Sequence, residues 1–134
     1  IGEAMQRVKQ VILIRKDLKM RRGKEIAQGS HAAMEFLVSR LRASLNRDAA
    51  VAVDLSAIER FWISHGMAKV CLQVDSEQAL LLHHEKAKQQ GLSSHLIQDS
   101  GRTEFAGVPT YTACAIGPDE AGRIDPVTGD LPLY

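Results

Sequence analysis

Three polar side chains recur at helical spacing early in the chain: Lys24, Gln28 and His31, at i, i+4 and i+7, fall within an arc of about 60° on a helix. They bring together an ammonium that can oppose negative charge, an amide that both donates and accepts, and an imidazole that can carry a proton. Farther along, Asp99-Ser100-Gly101-Arg102-Thr103 sets a carboxylate and a hydroxyl in or beside a turn, and Thr110 and Thr112 add hydroxyls to a strand-like segment. Each group also has a plain structural explanation. A solvated helix face gives the first triplet, Asp-x-Gly serves turns in its own right, and threonine favours strands.

What these groups can do depends on the elements that position them. Val8 to Ile14 contains the continuous apolar run Val11-Ile12-Leu13-Ile14, which predicts a strand buried on both faces. From Lys24 to Leu45 the pattern is helical, with Ile26, Ala33, Met34, Leu37, Leu41 and Leu45 on one side and Lys24, Gln28, His31, Glu35 and Arg42 on the other. The apolar side is expected to face the core. Small residues, Gly29 among them, make the first turns slim enough for close approach to a sheet or ligand. Asp54 is the expected cap of a second helix carrying Leu55, Ile58, Phe61 and Trp62, ended by Gly66. Lys69 to Val74 alternates as a strand, and Asp75 with Gln78 suggests a capping box for a third helix closed by Gly91. Strands follow over Ser94 to Gln98 and Thr110 to Ile116, the latter placing Thr110, Thr112 and Cys114 on one face. Gly117-Pro118 is expected to end it, with an irregular tail to Tyr134.

Alternating strands and helices imply an α/β class protein: a single domain over residues 1–134, a three-layer α/β/α sandwich around a mixed sheet of about four strands. Ligands of such sheets bind at the carboxyl ends of parallel strands. The segment leaving the first strand is strongly basic. Between Arg7 and Lys24 the net charge is +7, and everywhere else it sums to −6, so the total of +1 over 134 residues conceals a sharp asymmetry. Arg15, Lys16, Lys19, Arg21, Arg22 and Lys24 lead into a helix N-terminus, where free N–H groups and the macrodipole favour anions. Composition and position together mark a phosphate site.

Other chemistry finds little support. There is no phosphate-loop, dinucleotide, zinc-protease or nucleophile-elbow signature. Cys71 and Cys114 lack metal or redox spacing and read as buried free thiols. His83 and His84 read as surface residues, and His65 and His95 likewise. No apolar run approaches the ~20 residues of a membrane span, and Ile1 to Gln6 lacks the apolar stretch of a signal peptide.

Taken in order, Asp17-Leu18-Lys19-Met20, Gly23-Lys24, Ala27-Gln28 and Ser30-His31-Ala32-Ala33 resemble the N-terminal signature of type 2 peptidyl-tRNA hydrolases. Gly91-Leu92, Ile97, Asp99-x-Gly101-Arg102-Thr103 and Ala115-Ile116-Gly117-Pro118 resemble that family's second block, and Val127-Thr128-Gly129-x-Leu131 its ending. Trp62, Gly66 and Lys69 match between the blocks, so the resemblance spans Val8 to Tyr134. Departures are Ser100 where alanine is usual, Gly29 where cysteine or valine is common, and a 104–112 connection one residue longer than usual. That extra residue leaves open whether Thr110 or Thr112 takes the family's threonine role.

The resemblance implies hydrolysis of the ester between peptide and tRNA, with peptidyl-tRNA as partner, tRNA recycled, a fold that is often a homodimer, and no metal or organic cofactor; the free thiols and the composition point to a cytoplasmic protein. It implies Lys24, His31, Asp99, Thr103 and Thr112 as catalytic positions. Arg15, Lys16, Lys19, Arg21, Arg22, Gln28 and Arg102 are the expected tRNA-binding residues. Ester hydrolysis needs an activated water, a stabilised oxyanion and a protonated leaving oxygen. Asp99 or His31 is the base, Lys24 stabilises negative charge and Thr112 donates a hydrogen bond. Two readings of other kinds stand beside this one: a relative that holds tRNA without hydrolysing it, and a module binding an acidic protein through residues 15–24. Retention of Lys24, His31, Asp99 and Thr103 weighs against the first, since phosphate binding alone requires no such acid.

Overall fold

The computed structural model describes residues 7–47 and 50–134; the expectation about Ile1 to Gln6 and Asp48 lie outside the described residues. The apolar run near the start forms β1 (Val8–Arg15), and both of its faces are buried. Val11 and Leu13 pack on one side with Leu72 and Val74 of β2 (Lys69–Val74) and with Leu80 and Ala87 of a helix over residues Glu77–Gln89. Ile12 and Ile14 pack on the other side with Met20, Ala113, Ala115 and Ala32, the last from α1 (Arg22–Arg42). A third cluster joins Val8 and Phe36 to Trp62 of α2 (Ala57–Ser64), with the two rings edge to face at 5.9 Å. The result is the expected α/β/α sandwich. α1 and α2 cover one face of the sheet, and α3 (Glu77–Gln89) and α4 (Ala121–Thr128) cover the other.

The sheet has four strands in the order β2-β1-β4-β3, with β3 at Ser94–Asp99 and β4 at Thr110–Glu120. β1 and β2 are parallel, while β4 runs antiparallel to both β1 and β3. The carboxyl ends of β1, β2 and β3 therefore share one edge with the start of β4.

Several local expectations are corrected. α1 ends at Arg42 rather than Leu45, and it is rotated: Gln28, Ala32 and Phe36 are buried, whereas Ile26 and Met34 are 64% and 59% exposed. The face turned to the sheet runs along Gln28, Ala32 and Phe36, and Gln28 is accommodated there because Thr112 supplies a partner, while His31 and Arg42 stay exposed. Gly29 is not needed for close packing, since a Cβ there would meet Ile14 at an ordinary 3.8 Å. Ser56, not Asp54, caps α2; its hydroxyl accepts from the Glu59 N–H and its own N–H donates to Glu59 Oε1. Ser76, not Asp75, caps α3. His83 and His84 are buried, with ring nitrogens against the Ala79 carbonyl and the Ser94 hydroxyl. Cys114 is buried as expected, its thiol pushed up to about 11 by that burial, but Cys71 is exposed.

The end of the chain is also more ordered than its sequence suggests. β4 continues through Pro118 to Glu120 because the register shifts there against β1 and because β3 stops opposite Ile116, so the missing N–H interrupts no ladder. α4 follows instead of an irregular tail. Ile124 and Val127, three apart on α4, enter the core, a signal masked in the sequence by Gly122, Pro126 and Gly129.

Glu59 links α2 to α1. Its carboxylate takes both terminal nitrogens of Arg40 at 2.8 Å along with the Ser56 N–H. Burial pushes its pKa up, but the Arg40 and Ser56 hydrogen bonds outweigh burial and hold it below the usual carboxylate range. A depressed carboxylate contributes stability that is present above its unfolded pKa and lost as the pH falls through its folded one. Glu59→Gln is expected to lower the urea unfolding free energy by about 2 kcal/mol near neutrality, with the deficit shrinking in acid. A deficit independent of pH would show that the charge is not the agent.

Candidate active site

The basic segment leaves β1 over the edge where the strand ends meet. Arg15 does not point outward: its guanidinium grips Asp17 at 2.7 and 3.1 Å and donates to the Tyr111 carbonyl at 3.0 Å, fastening the loop to β4. Met20 is buried beneath the loop, the Lys16 N–H bonds the Val74 carbonyl, and Lys19 adopts a left-handed conformation at φ 52°. Lys16, Lys19 and Arg22 are left exposed around the start of α1. Arg21 is exposed as well, although it pairs with Glu104 at 2.9 Å. The N-cap residue of α1, Arg21, makes no side-chain cap, so among the described residues the first N–H groups of the helix stay open to an anion.

Lys24 lies in the first turn of α1 and reaches the end of β3. Its Nζ is 2.7 Å from Asp99 Oδ1 and 3.1 Å from Thr103 Oγ1. The pair is largely dry, with side chains 15% and 12% exposed. Asp99 uses its second oxygen to accept the Gly101 N–H at 2.8 Å. The Lys24 hydrogen bond, overcoming the effect of burial and aided by the Gly101 N–H and the nearby charges of Lys24 and His31, holds Asp99 below the usual carboxylate range. Asp99 is thus an ionised acceptor. Its basicity is reduced by the contacts that fix it.

One turn on from Lys24, buried Gln28 accepts a hydrogen bond from the Thr112 hydroxyl. A β-bulge makes this contact. Ile97 pairs with Ala113 and Gln98 with Tyr111, so Thr112 is the extra residue. The bulge turns Thr112 onto the α1 side while Cys114 packs on the opposite face, which corrects the expectation that Thr110, Thr112 and Cys114 share a face. Thr110 donates its hydroxyl to the Val108 carbonyl and stays with the loop. With its oxygen held by Thr112, the Gln28 amide directs its NH2 elsewhere; among the described residues no acceptor meets it.

A groove of about 290 Å³ opens beside these groups, between Gln28, His31 and Glu35 of α1 and Leu96 to Ser100 of β3 and the following turn. Gln28, His31 and Asp99 thus line the groove, Lys24 and Thr103 join them through the Lys24–Asp99 and Lys24–Thr103 contacts and buried Thr112 through Gln28, with exposed Arg102 next to Thr103. The structure removes Arg15 to a structural role. Glu35 and the β3 backbone belong to the surroundings and escaped the sequence reading; the position of Glu35 four residues beyond His31 was the available signal.

Comparison with known proteins follows the same line. The family described as peptidyl-tRNA hydrolase PTH2 matches residues 8–134. A peptidyl-tRNA hydrolase of Methanopyrus kandleri is 42% identical over 125 residues, covering 93% of this chain and 97% of that protein. Another, from Methanocaldococcus jannaschii, is 38% identical over 126 residues, covering 94% and 99%. A solved structure of a protein of unknown function from Agrobacterium tumefaciens C58 superposes with a TM-score of 0.57 at 14% identity, covering 96% of this chain and 98% of that one, a likeness of fold alone.

The Asp99 turn depends on Gly101, which has φ +84° and whose added Cβ would lie 2.4 Å from the Val108 carbonyl oxygen. Gly101→Ala is expected to cost at least about 1–2 kcal/mol from the left-handed backbone alone. It should also let the Asp99 carboxyl titrate closer to its ordinary range, as read by NMR. An unchanged Asp99 titration would mean that the turn does not hold the carboxylate.

Proposed function

Because the chain belongs to the peptidyl-tRNA hydrolase PTH2 family and hydrolyses the ester joining peptide to tRNA, we propose that the Lys24–Asp99 pair is the centre where that ester is cleaved. The observation that carries this reading is the 2.7 Å contact between two largely dry, opposite charges 75 residues apart, at the mouth of a groove and beside an open helix N-terminus. A pair retained only for stability would contribute little net and would need no groove beside it.

In this reading Asp99 locks Lys24 and orients the attacking water, while its depressed pKa makes it a poor acceptor of that water's proton. His31, exposed in the same groove, takes the proton. The water oxygen bonds the carbonyl carbon, and the carbonyl electron pair moves to oxygen, where Lys24 Nζ and the free NH2 of Gln28 stabilise the charge. Collapse breaks the bond to the ribose oxygen, which takes up the proton from His31. The products are tRNA with a free hydroxyl and a peptide carboxylic acid, which gives its remaining proton to water and leaves as the carboxylate. Thr112 acts through Gln28: its single proton is committed to the amide oxygen, so it is a positioning residue and not a direct donor to substrate. Thr103 steadies Lys24 from the other side.

Lys16, Lys19, Arg22 and Arg102 then contact phosphates of the tRNA, giving affinity without base specificity. Exposed Ile26 and Met34 on the outer flank of α1 support association of two copies. The free thiols of Cys71 and Cys114 accord with a reducing compartment, the cytoplasm.

Single-turnover hydrolysis of an N-blocked peptidyl-tRNA is expected to slow by roughly 10²–10³ for Lys24→Ala and for Asp99→Asn, by analogy with loss of an oxyanion donor. The double variant should be little worse than either single. Full rate in either single variant would remove the pair from the reaction. His31→Ala is expected to slow hydrolysis by roughly 10²-fold or more, as loss of a general base does, and Thr112→Ser should retain activity that Thr112→Val loses. In binding measurements, replacing Lys16, Lys19, Arg22 or Arg102 by alanine should each reduce the slope of log affinity against log salt by about 1. An unchanged slope would place that side chain away from the phosphates.

A further inference from the structure

The substrate brings a peptide of varied sequence, still bonded to the carbonyl under attack, so the peptide must leave the Lys24–Asp99 centre along a surface that reads main chain. The groove beside that centre has such a surface. β3 is an edge strand, paired only with β4, and its other edge meets no strand among the described residues. The Gly117 N–H bonds the Ser93 carbonyl, which sets the alternation of the ladder: Ser93, His95 and Ile97 turn their main-chain groups towards β4, while Ser94 and Leu96 turn theirs to the open edge. Leu96 confirms the geometry from a second direction. Its side chain packs with the α3 and α4 layer, yet Leu96 lines the groove on the α1 side, so it presents its backbone there.

We propose that the peptide of the substrate docks as an added strand on the free edge of β3. This rests on the reading of Lys24 and Asp99 as the reacting centre, because the covalent link fixes where the peptide begins. With its esterified residue at Asp99, the carboxyl end of β3, the peptide runs parallel to β3 and extends towards Ser94. Main-chain hydrogen bonds to the N–H and carbonyl of Leu96 hold it, and Gln28, His31 and Glu35 form the facing wall. At about 3.3 Å per residue, the distance from Asp99 to Leu96 accommodates three to four peptide residues. Recognition through alternate backbone groups leaves side chains free to vary, as an enzyme serving many peptides requires.

The test compares N-blocked peptidyl-tRNAs bearing one to six alanine residues, at fixed salt and with one tRNA. kcat/KM is expected to rise by roughly fivefold for each main-chain hydrogen bond gained and to level off near four residues. N-methylation at one of two adjacent peptide positions should abolish the gain, while methylation at the other should not. Exchanging alanine for serine throughout should leave it intact. In parallel, a short non-hydrolysable peptidyl-oligonucleotide with an amide in place of the ester should slow hydrogen exchange at the Leu96 N–H, and the same oligonucleotide without a peptide should not. A flat length series, N-methylation without effect at either position, or protection of Leu96 by the bare oligonucleotide would each overturn the proposal. Failure of the Lys24–Asp99 reading shows separately. In that case Lys24→Ala would hydrolyse even the one-residue substrate at full rate, whereas a wrong docking strand leaves that substrate fully dependent on Lys24.

Discussion

Because β4 lies between β1 and β3 and runs against both, the ends of β1 and β3 and the beginning of β4 converge on one edge of the sheet. The groups of the candidate active site come from these places and from the helix start they support. Lys24 is brought over β4 to Asp99, and Arg15 ties the end of β1 to Tyr111. The bulge at Thr112 is the finest adjustment. An unbulged strand would send that hydroxyl to the α3 and α4 side, leaving Gln28 buried without the partner its amide oxygen has.

The charge distribution serves the same edge. A chain with net charge +1 has little long-range attraction for RNA as a whole. Arg7 and Lys9 lie at the start of β1, and the six bases and one acid from Arg15 to Lys24 leave +5 to raise the potential where the strand ends meet. The cluster is not uniformly available, however. Arg15 is committed to Asp17 and the Tyr111 carbonyl and Arg21 shares Glu104, so among the described residues Lys16, Lys19 and Arg22 are the exposed bases of this loop without an ion-pair partner. Lys24 stands apart from them, since its charge is bound to Asp99 before any substrate arrives.

The sequence made β1 legible through four consecutive apolar residues, and the basic loop through its density of charge. It made the alternating architecture legible through helical and strand periods separated by turn residues. It also drew Lys24, Asp99 and Thr103 together as one site through an ordered set of motifs. The direction in which α1 faces was not legible. Hydropathy scored Ile26 and Met34 as core and Gln28 as surface, and the structure reverses them. His83 and His84 likewise read as surface residues until the Ala79 carbonyl and the Ser94 hydroxyl supplied partners. α4 stayed hidden because proline and glycines masked the spacing of Ile124 and Val127.

These outcomes share one physical cause. Strand and helix periods and charge clustering are local, and a stretch of sequence sets them by steric preference and composition. Whether a polar side chain is buried depends on whether a distant segment delivers a hydrogen-bonding partner, because an unmet buried polar group costs what a met one recovers. The sequence alone therefore determined the α/β architecture, the basic loop and the polar groups from which the candidate site is built. Only the tertiary structure decided that Arg15 is a staple, that Gln28 is oriented by Thr112, and that Lys24 and Asp99 meet beside an open strand edge.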